Sequence, residues 1–321
     1  MSARPRRVVV TSRSFSSGDH HLTEELATEG ITVVFGPVDH RIGELAPLLA
    51  DADAWIAGTA PVTDELLALA PQLQVVARYG VGVDSVDLAA AARRGVVVTN
   101  TPGANSGAVA DHTVALLLAA LRQVTAGDRR VRSGSWKVER AHELGGLTVG
   151  IVGFGRIGRG VAQRLSGFGC RVLATDPYLS DSQIAAAGAT PSTPTELARL
   201  ADVVSLHAPG DSQLVDTRWL ASVRPGLILI NTARAALVDE VALAAALRSG
   251  QVHAYAADTL STESAEQDSP LLAADIADLV TITPHCAAQT VEAVDLMGEG
   301  AVDAVRSVFR GEIPVNLVTA R

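Results

Sequence analysis

The sequence predicts an α/β protein with two doubly wound parallel-sheet domains, one inserted into the other. Three observations carry this. Short β-branched apolar runs alternate with Ala- and Leu-rich helical stretches, which is the pattern of strand–helix–strand units. The runs are continuously apolar rather than alternating, as parallel strands buried on both faces require. The alternation also comes in two series, separated by the turn-rich "NTPGAN" (100–105), and 321 residues suit two domains at roughly 150 residues each.

The first series runs "RVVVT" (7–11), "ITVVF" (31–35), "AWIAG" (54–58), "LQVVA" (73–77) and "GVVVT" (95–99), with helical patterns between, as around 63–70 and 85–93. After the hinge, "SGAVADHTVALLLAALRQVTAGDRRVR" predicts one long amphipathic helix. A second series follows: "LTVGIV" (147–152), "RVLAT" (171–175), "ADVVSLH" (201–207), "LILIN" (227–231), "VHAYAAD" (252–258) and "LVTITPH" (279–285). From Ala287 to Phe309 the pattern is helical again, and the tail "GEIPVNLV" comes next. The expected plan is an outer domain of 1–101 and 288–321 around a central domain of 102–287.

Composition narrows the function classes. Hydrophobic residues are 48% and charged ones 19%, which supports a large core and argues against disorder. Aromatics are only 3%, so Ala, Val and Leu must fill that core. A net charge of −9 disfavours nucleic acid and anionic membrane as partners. No apolar run reaches the roughly 20 residues of a membrane span, and "RRVVVTS" follows the N-terminus without a signal-peptide pattern. With Cys170 and Cys286 the sole cysteines, free thiols in the cytoplasm are expected.

In "VGIVGFGRIGRGVAQRL", Gly153, Gly155 and Gly158 have G-x-G-x-x-G spacing after a strand and at the opening of a helix. Gly153 permits a tight turn, Gly155 lets backbone approach a pyrophosphate, and Gly158 lets helix pack on strand. The helix N-terminus then faces the phosphates. The next strand ends at Asp176, 176 − 153 = 23 residues after the first glycine, where a carboxylate accepts from the adenosine ribose hydroxyls. Together these predict a Rossmann-type NAD domain. Asp176 repels a 2′-phosphate, and Pro177 and Tyr178 supply no cation, so NAD is favoured over NADP.

Three further residues follow strand ends. Arg234 lies beyond "LILIN", Glu263 beyond "VHAYAAD", and His285 ends "LVTITPH". Singly, each reads as a surface arginine, a solvated loop carboxylate and a structural histidine. Together they stand at the carboxyl ends of parallel strands, where open α/β sheets bind ligands. A cation, a carboxylate and a histidine there are the groups that reduction of a keto acid needs. No metal is expected.

The chain resembles the D-isomer-specific 2-hydroxyacid dehydrogenases. The likeness rests on "RYGVGVDSVDLAAAARRGVVVTNTPGANSGAVAD" (78–111), "LGGLTVGIVGFGRIGRGVA" (144–162), "LHAPG" (206–210), "INTARAALVDE" (230–240), "ADTLSTES" (257–264) and "TPHCAAQT" (283–290), in order and in register. The subgroup it is most similar to is the short phosphoglycerate- and hydroxypyruvate-type enzymes, and no regulatory domain is expected after "IPVNLV". The resemblance implies a flavodoxin-like substrate domain around the Rossmann domain. It implies that Arg234 holds the carboxylate and keto oxygen of a 2-oxo acid, that His285 is the general acid/base, and that Glu263 pairs with it, raising its pKa. It implies that backbone N–H groups of Gly80, Val81 and Gly82 hold the substrate carboxylate. It places Arg156 and Ile157 on the pyrophosphate. His207, Ala208, Pro209, Thr232, Ala233, Asp258, His285 and Ala287 fall at the cofactor, with Asp258 near the carboxamide. Departures exist: Ala235 follows the arginine where glycine is usual, Ser264 replaces a proline after Glu263, and Asp111 stands where glutamate is common. Cys286 abuts His285 and reads as a small unreactive residue.

The leading expectation is an NAD-dependent oxidoreductase acting on a D-2-hydroxy acid. The alternatives are an NAD(H)-sensing corepressor of the same fold and a phosphoglycerate- or phosphonate-type dehydrogenase. Phosphoglycerate-type enzymes carry an arginine in the segment matching Ala57–Ala60, here uncharged, so a small unphosphorylated 2-oxo acid is expected. Arg13 and Arg78 are the side chains that could hold a second anionic group instead. A homodimer is expected because "VALLLAAL" carries more apolar surface than one domain flank needs.

Overall fold

The computed structural model describes residues 4–210, 212–263 and 268–319. It contains two compact units, Met1–Asn105 with Ala288–Arg321, and Ser106–Ala287.

The first unit holds a five-stranded parallel sheet of β1 (Arg7–Val10), β2 (Thr32–Phe35), β3 (Ala54–Ala57), β4 (Val75–Arg78) and β5 (Val97–Thr99), in the order β2-β1-β3-β4-β5. That order is flavodoxin-like. Helices α1 (Leu22–Thr28), α2 (Ile42–Leu49), α3 (Asp64–Ala68) and α4 (Leu88–Arg93) form the crossovers. Every residue of β3 and β4 is buried, as expected of inner parallel strands. The order reverses between β1 and β3. There Gly58 is required, since a Cβ on it would lie 2.6 Å from the Thr11 carbonyl oxygen. The buried Trp55 indole donates to Thr11 Oγ1 at 2.9 Å, so the core's largest side chain keeps its polar atom satisfied.

The second unit opens with α5 (Ser106–Leu121) and α6 (Val124–Arg132). A seven-stranded parallel sheet follows: β6 (Thr148–Val152), β7 (Arg171–Thr175), β8 (Thr190–Pro191), β9 (Val203–Leu206), β10 (Leu227–Asn231), β11 (Val252–Ala257) and β12 (Val280–Ile282). Between them lie α7 (Arg156–Leu165), α8 (Asp181–Ala186), α9 (Pro194–Leu200), α10 (Thr217–Ser222) and α11 (Glu240–Ser249). The order is β12-β11-β10-β9-β6-β7-β8. Strands β6 to β11 give the dinucleotide-fold order, with the reversal between β6 and β9 and with β12 added beside β11. The last helix, α12 (Val291–Phe309), returns to the first unit, where Tyr79 Oη donates to the Val294 carbonyl at 2.8 Å.

The single long helix expected over 106–132 is two helices. Gln123 adopts a left-handed conformation (φ 53°, ψ 38°) and breaks it, at a cost of roughly 1–2 kcal/mol for a non-glycine residue. The two halves answer to different neighbours. Helix α5 is held by apolar burial against α7, β10 and β11. Helix α6 buries only Ala126 and is tethered by polar contacts, Thr125 Oγ1 to Thr281 Oγ1 at 2.7 Å and Arg129 to the Ala277 carbonyl at 2.6 Å. Helix propensity across Arg122–Val124 is unremarkable, so sequence periodicity gave no sign of the break. Leu116, Leu117 and Leu121 are buried within the chain itself, so "VALLLAAL" does not supply the surplus apolar surface from which a dimer was expected. Among the described residues no helix is long and apolar enough to cross a membrane. Both cysteines are free.

Candidate active site

The glycine loop links β6 to α7, and its three glycines answer three different demands. Gly153 has φ 88°, and a Cβ on it would sit 2.6 Å from the carbonyl carbon and oxygen of His207 and 2.8 Å from Ala208 N. A Cβ on Gly158 would sit 2.3 Å from the Gly153 carbonyl oxygen. Both are therefore fixed by packing inside the unit. A Cβ on Gly155 would meet nothing within 4 Å. Its backbone is extended, and it caps α7 without any side-chain acceptor for the first helical N–H groups, those of Arg156 and Ile157 among them. Open space over uncapped N–H groups at a helix N-terminus fits a pyrophosphate.

Asp176, just past β7, fastens this loop. Its Oδ2 accepts from Phe154 N at 2.7 Å and its Oδ1 from Tyr178 N at 2.9 Å. Each oxygen retains a lone pair for a ribose hydroxyl. Across the reversal point, His207 Nε2 lies 2.9 Å from Ser205 Oγ, and burial pushes the imidazole down to about 4, so it is neutral at pH 7. Ala208 and Pro209 continue from it, with Pro209 exposed.

Strands β10, β11 and β12 deliver the remaining groups. After β10, Asn231 clamps the turn: its Nδ2 donates to the Arg234 carbonyl at 2.8 Å and its Oδ1 accepts from Ala233 N at 3.0 Å. Thr232 is buried against the Thr113 hydroxyl at 2.7 Å. Arg234 Nη1 donates to the Ala233 carbonyl at 2.9 Å. Gly210 lies beneath its stem, where a Cβ would come within 2.9 Å of Arg234 Cγ. After β12, His285 takes φ 50° in a tight turn, with its N–H on the Thr283 carbonyl at 2.9 Å. Its Nδ1 lies 2.8 Å from Glu263 Oε2. The Glu263 hydrogen bond raises the histidine's pKa against the opposing effect of burial. The charges of Glu263 and Asp258 add to the rise, and Arg234 works against it. These side chains therefore share one electrostatic neighbourhood.

Asp258, at the end of β11, is 1% exposed. It accepts from Cys286 N at 2.9 Å, from Ala287 N at 2.8 Å and from the Thr283 hydroxyl. Burial alone would raise its pKa. The hydrogen bonds from His112, Thr283, Ala287 N and Cys286 N outweigh that and hold it below the usual carboxylate range. It thus fixes the turn on which His285 sits.

A family model described as "D-isomer specific 2-hydroxyacid dehydrogenase, NAD binding domain" matches residues 114–287. Over 275 residues the chain is 43% identical to the D-3-phosphoglycerate dehydrogenase of Mycobacterium tuberculosis, covering 84% of this chain and 51% of that one. It is 37% identical to the glyoxylate reductase of Korarchaeum cryptofilum over 278 residues, covering 84% and 83%.

The chain belongs to the D-isomer specific 2-hydroxyacid dehydrogenase family.

It spans about half the length of the phosphoglycerate dehydrogenases it matches. A D-lactate dehydrogenase from Aquifex aeolicus, solved with NAD and lactic acid, shares the fold with TM-score 0.85 and 26% identity, covering 98% of this chain and all of that one. The second unit is accordingly the NAD-binding domain of this dehydrogenase family.

The remaining family positions lie in the first unit. Gly80 has φ 130°, and its N–H donates to Thr101 Oγ1 at 3.1 Å, so of the three expected carboxylate donors this one is already engaged. Arg78 is buried, with Nη1 directed to the carbonyls of Ala57 and Tyr79, and Gly80 lacks a Cβ where that Nη1 would stand 3.1 Å away. Arg13 is exposed.

Several site residues escaped the sequence reading. Glu240, in the first turn of α11, is buried and accepts from Ser261 N at 2.7 Å, Ser261 Oγ at 2.8 Å and Ser269 Oγ at 2.6 Å. It thereby anchors Ser261 and Ser269, on either side of the segment that carries Glu263. A glutamate opening a helix is so common a dipole partner that nothing in the sequence marked it. Asn231 was visible only as the end of a strand.

Proposed function

We propose that the chain is an NAD-dependent oxidoreductase that interconverts a D-2-hydroxy acid and its 2-oxo acid. The observation that carries this reading is the His285–Glu263 contact at 2.8 Å. In reduction, Arg234 holds the substrate carboxylate. His285, engaged by Glu263 through Nδ1, presents Nε2 and donates its proton to the keto oxygen. In oxidation the same nitrogen takes the proton from the hydroxyl. Bound NADH supplies the hydride. The residues around Gly155 and Asp176 hold the pyrophosphate and the ribose, while Ala208, Thr232, Ala233 and Ala287 line the nicotinamide half. Glu263 keeps the imidazolium available at higher pH than a solvated histidine allows.

The substrate we propose is small and unphosphorylated, of the hydroxypyruvate or glyoxylate kind. Ala57, Gly58, Thr59 and Ala60 carry no cation, Arg78 is spent on backbone carbonyls, and Arg13 is exposed. A buried phosphate without charge-assisted contacts forgoes about 1.5–3 kcal/mol for each. The relation to phosphoglycerate dehydrogenases favours the second reading, a phosphorylated substrate. The deciding measurement is kcat/KM for glyoxylate, hydroxypyruvate and 3-phosphohydroxypyruvate, with Arg13→Ala and Arg78→Ala alongside. An advantage for the phosphorylated acid that either variant removes selects the second reading. Tight NADH binding without turnover on any acid selects an NADH-sensing role.

A homodimer is the assembly we propose, now on a different ground from "VALLLAAL". Residues 131–140 are all exposed, and Trp136 (83%) and Val138 (85%) stand out from them, as apolar residues awaiting a partner do. A monomer by light scattering at micromolar concentration refutes this.

A further inference from the structure

Beside the turn that carries His285, the carboxylate of Asp258 meets two further donors, His112 and Cys286, whose side chains have no role in the proposed reaction. His112 Nε2 is 3.5 Å from Asp258 Oδ1, and one ligand atom each from His112, Asp258 and Cys286 lie within 4.8 Å of one another. The Thr283 hydroxyl stands between them, 2.9 Å from His112 Nε2 and bonded to Asp258. Imidazole, carboxylate and thiolate together are a zinc-type donor set. Zinc bond lengths of about 2.0–2.3 Å put tetrahedral donors roughly 3.3–3.8 Å apart. The His112–Asp258 separation already meets this, and the Cys286 sulfur lies within 4.8 Å of both. His112 and Cys286 are only half-buried, so an ion can reach them.

We propose that His112, Asp258 and Cys286 form a site for a thiophilic divalent cation of the zinc and cadmium class, and that filling it switches the enzyme off. The link to His285 is mechanical. The carboxylate of Asp258 holds the N–H groups of Cys286 and Ala287. An ion that takes an Asp258 oxygen and the Cys286 sulfur redraws the turn on which His285 sits. On binding, the S–H bond breaks, a sulfur–metal bond forms and the proton passes to water. His112 bonds through an unprotonated Nε2, carrying its proton on Nδ1.

The switching part rests on the proposed dehydrogenase activity, and the site itself does not. Cd2+ titrated into the purified full chain without cofactor is read by ultraviolet thiolate-to-cadmium absorbance. The expected result is one ion per chain, with Zn2+ competing. The absorbance is lost in Cys286→Ala and kept in Cys170→Ala. His112→Asn weakens binding at least about tenfold, the scale on which ligand support acts. No absorbance in the wild type, absorbance that survives Cys286→Ala, or unchanged affinity in His112→Asn overturns the site. In turnover assays Zn2+ inhibits the wild type and spares Cys286→Ala, each measured against its own activity without metal. Bound metal without inhibition overturns the switch. Absence of turnover on every acid defeats the proposed activity and leaves the cadmium titration to judge the site.

Discussion

The glycine loop permits a test that separates folding from cofactor binding, because its glycines are needed for different reasons. Gly153→Ala places a methyl 2.6 Å from the His207 backbone at φ 88°. A left-handed alanine costs roughly 1–2 kcal/mol, and overpacking against atoms that cannot rotate away adds about 1–3 kcal/mol. The sum is about 2–5 kcal/mol, which for a unit of this size lowers Tm by roughly 4–20 °C at 2–4 °C per kcal/mol. Gly158→Ala meets the Gly153 carbonyl at 2.3 Å and should also lower Tm. Gly155→Ala meets nothing. Its extended backbone accepts alanine, and the smaller unfolded-state entropy gains about 0.4–1 kcal/mol. Its Tm without cofactor should be unchanged or slightly higher. Its NADH affinity, by contrast, should fall about 10- to 100-fold, the loss of one charge-assisted hydrogen bond of about 1.5–3 kcal/mol. Thermal melts without cofactor and NADH fluorescence titrations measure the two quantities. A Gly155→Ala protein that melts as early as Gly153→Ala, or binds NADH like the wild type, sinks the reasoning.

His285→Ala should reduce turnover by about 10²–10⁴-fold, the worth of a general acid, while NADH still binds; near-normal kcat removes His285 from the chemistry. Glu263→Gln removes the main cause of the histidine's raised pKa. Reduction needs the imidazolium and declines as pH rises through that pKa, so the declining limb should move to lower pH, as should the rising limb of oxidation; unmoved limbs refute the pairing. Asp176→Ala should weaken NAD and NADP alike through the lost Phe154 contact, yet shift their affinity ratio toward NADP; an unchanged ratio means that Asp176 does not read the ribose. Glu240→Ala should raise protease sensitivity between Ser261 and Ser269 and lower kcat, with little change in NADH affinity; wild-type kcat would show that the loop needs no such anchor.

The strands were legible because parallel sheets demand unbroken apolar runs, and β3, β6 and β10 are buried along nearly all their length. Arg234, Glu263 and His285 stood out as candidates from their places at strand ends together with the family likeness, and the structure joins Glu263 to His285. What sequence could not show depends on side chains that meet only after folding. The break at Gln123 follows from α6 reaching Thr281, 156 residues along the chain. The occupied N–H of Gly80 depends on Thr101, whose hydroxyl is one among many. Asp258 was expected at the carboxamide, and its grip on the turn after His285 emerges only from the hydrogen bonds of 286 and 287.

The Glu240 anchor bears on how such an enzyme can be re-engineered. It accepts hydrogen bonds from Ser261 and Ser269, one on either side of the segment. A replacement segment needs only to begin and finish on a hydroxyl that this carboxylate can accept from. The stretch around Glu263 is thus a cassette with its own docking points. Libraries varied inside those two serines can explore new reaction preferences while the helix and sheet that hold the serines stay as they were.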